Sequence, residues 1–103
     1  MHSTDSPNEL VQAVEQARAE LAERLGVEAG QIRTVAAEFV TWPNGALGCP
    51  EPGMMYTMAL VPGYRIVLES NGALHHYHGA RGKAPFHCPA DRAAAPKRGP
   101  SAD

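Results

Sequence analysis

Tyr64-Arg65-Ile66-Val67-Leu68-Glu69-Ser70-Asn71-Gly72-Ala73-Leu74-His75-His76-Tyr77-His78 is the stretch whose reading decides the fold. Asn71-Gly72 is the strongest short hairpin signal available, because a type I′ turn needs positive φ at both central residues. A two-residue turn there sets the register. It places Ser70 opposite Ala73, Leu68 opposite His75, Val67 opposite His76, Ile66 opposite Tyr77 and Arg65 opposite His78. Directly opposed residues share a face of the sheet. His75 and Tyr77 therefore join Ile66 and Leu68 on an expected core face. His76 and His78 join Arg65, Val67 and Glu69 on an expected solvent face.

Outward from this hairpin, Pro62-Gly63 suits the centre of a type II turn, with Met55–Val61 before it as a strand. Ile32–Thr41, rich in Val, Ala, Phe and Ile, reads as the first strand, and Glu38 reads as an outward-facing charge on it. Residues 7–25 read as a helix. Ser6-Pro7-Asn8-Glu9 has the form of a capping box with proline at the first helical position. Leu10, Val14, Ala17, Leu21 and Leu25 recur at helical spacing, and Gly26 is placed to end the helix. The expected architecture is α+β: one N-terminal helix packed on a four-stranded, mostly antiparallel sheet. It forms a single domain over residues 7–88, with a disordered tail over 89–103.

Between the first two strands runs Thr41-Trp42-Pro43-Asn44-Gly45-Ala46-Leu47-Gly48-Cys49-Pro50-Glu51-Pro52-Gly53, a long irregular segment with the only tryptophan and one of two cysteines. Such segments in compact domains are functional or disordered, and a large aromatic and a thiol argue against disorder. For Cys49 and Cys88 three readings compete. A disulfide would clamp the loop to the end of the sheet, a metal site would use both thiolates with nearby histidines, and free thiols would be small apolar residues.

The run His75-His76-Tyr77-His78 looks the most chemical. A metal centre (zinc or copper) would draw on His76, His78, His87, Cys49 and Cys88. However, the chain has neither a C-x₂₋₄-C nor an H-x₃₋₅-H pair, and Arg65 opposite His78 would repel a cation. Plain structural or solvated histidines are the blander reading.

Composition bounds the rest. The chain has 103 residues, 44% apolar and 19% charged, with a net charge of −2. Residues 1–51 carry −5 and residues 52–103 carry +3, too mild an asymmetry for a nucleic-acid surface. No apolar run is long enough to span a membrane. Residues 1–9 do not read as a signal peptide, so a cytoplasmic location is expected from this sequence, or export if a leader has been removed. No G-x-S-x-G, phosphate-binding glycine loop or H-E-x-x-H is present. No enzymatic activity and no cofactor are expected.

Trp42-Pro43-Asn44-Gly45 with Leu47-Gly48-Cys49-Pro50 and Pro52-Gly53, then Val61-Pro62-Gly63-Tyr64-Arg65-Ile66-Val67-Leu68, Tyr77-His78 and Cys88, resembles a small bacterial domain family. That family is known as hypothetical proteins and as segments of larger, often exported, proteins. The resemblance covers roughly residues 10–88 and implies no reaction, substrate or catalytic residue. The order of helix and strands is also similar to cystatin-like and PepSY-like domains, a likeness of architecture only. The leading functional expectation is a binding or interaction module. Its loop would present Trp42, Leu47, Glu51 and Met54 to a protein or small ligand, with a protease inhibitor as a special case. Metal binding is the alternative, and a monomer or weak homodimer is expected.

Overall fold

A computed structural model of the chain describes residues 7–94. The order is α1 (Pro7–Leu25), a short 3₁₀ turn (Ala29–Gln31), β1 (Arg33–Trp42), β2 (Val61–Ser70), β3 (Ala73–Ala80) and β4 (Phe86–Cys88). The strands form one antiparallel meander in the order β1-β2-β3-β4. The fold is thus α+β, with one helix on a four-stranded antiparallel sheet.

The helix ends where the sequence places its stop. Gly26 takes φ +70, and the Val27 amide donates to the Ala22 carbonyl at 3.0 Å, the bond that closes a Schellman cap. Of the helical stripe, Val14, Ala17 and Leu21 are buried, with Ala13 beside them, whereas Leu25 is exposed. These side chains form the core with Ile32, Tyr64, Ile66, Leu68 and Tyr77. Ser6, the capping partner expected for Glu9, lies outside the described residues. The Glu9 carboxylate reaches the β3–β4 turn, accepting from the Gly82 amide at 2.6 Å and from Arg81 Nε at 3.0 Å. Farther along the helix, the Arg18 guanidinium donates to the Ile32 carbonyl and the Thr34 hydroxyl, pinning the entry of β1.

The hairpin forms as its turn requires. Asn71 and Gly72 have φ of 53° and 81°, and the five expected cross-strand pairs are all present. Three expectations fail. Met55–Leu60 is not a strand: β1 and β2 pair directly, Trp42 against Val61, and the excursion between them has no ladder to join. Pro62-Gly63 is not a turn but lies inside β2, opposite Thr41 and Val40. Proline is tolerated there because it stands near the start of the strand, before the first β3 partner at Gly63. Finally, Phe86–Cys88 forms β4 against His76–His78, a three-residue strand too short to show an alternating pattern in the sequence.

The sheet's two edges differ. β4 has three residues, whereas β1 has ten and a register shift between Thr34 and Ala36. A bulge and the charges of Arg33 and Glu38 are the usual devices that keep a long edge from pairing with another chain. Glu38 does face outward, bound to Arg65 across the ladder at 2.7 Å.

Candidate functional site

The face of the sheet opposite the helix is covered at one end by the chain between β1 and β2. Trp42, the last residue of β1, turns its indole onto this face and is fully buried. Its ring stacks on His78 with centroids 4.5 Å apart, and Nε1–H donates to the Gly79 carbonyl at 3.2 Å. The seat depends on two glycines. A Cβ on Gly48 would stand 2.3 Å from the indole, and one on Gly63 would stand 2.7 Å from it. Gly63 thus serves close approach, not a turn.

Leu47 takes φ 56 and Gly48 φ 74, so the loop folds back over His78. The His78 Nδ1 lies 2.8 Å from the Leu47 carbonyl. A carbonyl can only accept, so Nδ1 carries the proton and Nε2 the lone pair. Nε2 is enclosed and has no hydrogen-bond partner among the described residues. Burial makes this imidazole less basic than usual, opposed by the Leu47 bond and reinforced by His76 and Arg65. The expectation that His78 faces solvent is therefore wrong. The loop covers its face, which strand alternation alone does not reveal.

Cys49 and Cys88 form a disulfide, with S–S 2.10 Å and Cα atoms 5.9 Å apart. No thiolate is left for a metal. Register separates the histidines as well: His76 and His78 lie on the loop face, whereas His87, opposite Tyr77, lies on the helix face with His75. There the His87 ring meets Tyr77 edge-on at 5.4 Å. The Tyr77 hydroxyl donates to Glu20, whose carboxylate Arg24 holds below its usual range. Among the described residues no three His, Cys, Asp or Glu side chains gather to hold a metal ion. The five residues named for a metal centre are not brought together.

The four residues expected to meet a partner divide. Trp42 is buried and Leu47 half-buried, so both seat the loop. Glu51 and Met54 are exposed. Beyond the bridge the chain emerges: Met54, Met55, Met58 and Leu60 are 57%, 93%, 82% and 59% exposed. This limb is tied to the frame by the Gly45 amide donating to the Thr57 carbonyl at 2.8 Å, and by the Glu51 amide donating to the Tyr56 hydroxyl at 3.0 Å. The apolar run of Met55, Met58 and Leu60 has the pattern of a strand, which hides its exposure. Residues 89–94, expected in a disordered tail, fold back onto the loop. The Ala94 amide donates to the Gly48 carbonyl at 2.8 Å, and Arg92 lies 3.7 Å from Glu51. Residues 95–103 lie outside the described residues.

On the helix side, a cleft of about 430 Å³ opens between α1 and the β3–β4 turn, lined by Gln12, Gln16, Tyr64, Arg81 and Lys83 among others. Its tyrosine is occupied, with the Tyr64 hydroxyl donating to the Lys83 carbonyl and burial raising its pKa to about 12.

No helix among the described residues is long and apolar enough to cross a membrane. No curated protein and no solved structure matches the chain. A family model does match, over residues 14–88, from within the helix to the second cysteine of the bridge. The chain belongs to the family described as domain of unknown function DUF8738.

Proposed function

We propose that this domain is a non-enzymatic interaction module whose contact surface is the Met54–Leu60 limb, and that its partner is another protein. One observation carries the reading: four large apolar side chains are held out in solvent on a segment anchored to a cross-linked frame. Contiguous exposed apolar surface marks protein contact sites, and methionines suit adaptable recognition because their side chains are unbranched and polarisable. An inhibitor-like insertion would have to use this limb, since residues 42–49 are packed over the sheet. The bridge, stable in oxidising surroundings and rare in the cytosol, favours an exported location.

The test uses methionine-methyl NMR while the domain is titrated with peptides selected against it by display. Shifts are expected at Met54, Met55 and Met58. The double variant M55E/M58E is expected to weaken binding at least tenfold while changing folding stability by less than about 0.5 kcal/mol, as surface substitutions do. Selected peptides that bind elsewhere, or that bind the double variant equally well, would sink the reading.

A further inference from the structure

We propose that His78 is an acid-operated latch that holds the Trp42–Gly48 arch closed over the sheet at neutral pH and releases it when the imidazole takes a second proton. The latch is a property of the fold and stands whether or not the Met54–Leu60 limb meets a partner.

The geometry gives His78 one favourable protonation state. Its Nδ1–H is spent on the Leu47 carbonyl, its face lies against Trp42, and the Phe86 ring stands edge-on with centroids 6.4 Å away. A proton added at Nε2 would meet no acceptor among the described residues, and a charge would be created in a fully buried ring. A buried charge without a partner is costly. Contact with the indole face recovers only part of that cost.

The surrounding charges do not help. Arg65 stands opposite His78 on β2, and His76 lies two residues earlier on β3. The carboxylates on this face, Glu38 of β1 and Glu69 of β2, are bound by Arg65 and Arg33. From β4 come Phe86 and the uncharged Cys49–Cys88 bridge, and the Glu51–Arg92 pair joins the loop to the segment after β4.

Release is local because, besides the His78 bond, the arch is tied by single hydrogen bonds, from Trp42 Nε1 to the Gly79 carbonyl, from the Gly45 amide to the Thr57 carbonyl and from the Ala94 amide to the Gly48 carbonyl. The Leu47 carbonyl is held by His78, and Leu47 and Gly48 already sit at positive φ. The bridge keeps Cys49 in place, so the moving part is the arch before it. In the open form the imidazole is hydrated and regains its ordinary basicity, near pH 6.5. The closed form is less basic, so the open form binds the extra proton and acid favours opening. Below about pH 6.5 the ratio of open to closed molecules rises up to about tenfold per pH unit, and it levels off at the closed form's lower pKa.

Trp42 is the only tryptophan, so its fluorescence reads the arch directly. Between pH 8 and pH 4.5 the oxidised protein is expected to show a red shift beginning below pH 6.5, with far-UV circular dichroism unchanged. His78→Asn, which keeps an amide donor for Leu47 but cannot titrate, is expected to abolish the shift. His76→Gln and His87→Gln are expected to retain it. Imidazole NMR on the unmodified protein gives an independent reading, in which the His78 ring must titrate together with the Trp42 and Leu47 signals. The proposal is overturned if Trp42 emission is flat across this range, if the shift survives His78→Asn, or if it coincides with loss of the sheet. Should His78→Asn fail to fold, the NMR titration decides, and a His78 ring that titrates without Trp42 and Leu47 overturns it.

Discussion

Replacing both bridge cysteines with serine is expected to lower the free energy of unfolding by about 4 kcal/mol, the chain-entropy value for a closed loop of about 40 residues. That is a large part of a domain stability of roughly 5–15 kcal/mol. For a chain of this size it corresponds to a melting point lower by roughly 15–30 °C. The loss should not be spread evenly. β4 has three residues and only β3 to pair with, and the chain from Pro43 to Leu60 contains no strand or helix. The bridge joins these two weak pieces. Hydrogen exchange in C49S/C88S should therefore accelerate first in β4 and the loop, while the β2–β3 hairpin stays protected. Urea denaturation of the oxidised protein beside the variant measures the total. A loss under about 1 kcal/mol would mean that the indole seat alone holds the loop.

Trp42→Ala is the second large effect, expected to cost about 3–5 kcal/mol as a fully buried aromatic truncated to alanine. The indole fills the space between His78, Gly48 and Gly63, and no small side chain can reach across it. Trp42→Phe should cost less: it keeps an aromatic face for His78 but forfeits the Nε1–Gly79 bond, worth about 1 kcal/mol. Because tryptophan and bridge hold the same segment, combining Trp42→Ala with C49S/C88S should cost less than the sum of the separate losses. Strict additivity in chemical denaturation would show that the two anchors act on different parts of the structure.

The fold was legible wherever local chemistry determined local geometry. Asn71-Gly72 set five cross-strand pairs, and Gly26 marked the helix end. What was not legible depended on contacts distant in sequence. Pro62-Gly63 has the composition of a turn, yet the need for a bare backbone under Trp42 puts that glycine in a strand. The Met55–Leu60 run has strand-like residues but no neighbour to pair with. His78 sits among Arg65, Glu69 and His76, a pattern that reads as a wet face. Only the arch from the preceding loop makes it dry. The segment between β1 and β2 is legible as irregular, but its two halves do opposite things. Residues 42–49 seal the sheet, and residues 54–60 project from it.

The strand order has a consequence for how the molecule is made. In a meander each strand pairs with the next one along the chain, so most of the sheet assembles from nearby partners, a topology that favours fast folding. The bridge is different, because its cysteines lie 39 residues apart and Cys88 sits on β4, paired with β3. Oxidation is then a late event that traps finished molecules and passes over those with a slipped hairpin. In a newly made chain the cross-link would act as an inspection mark as well as a fastener.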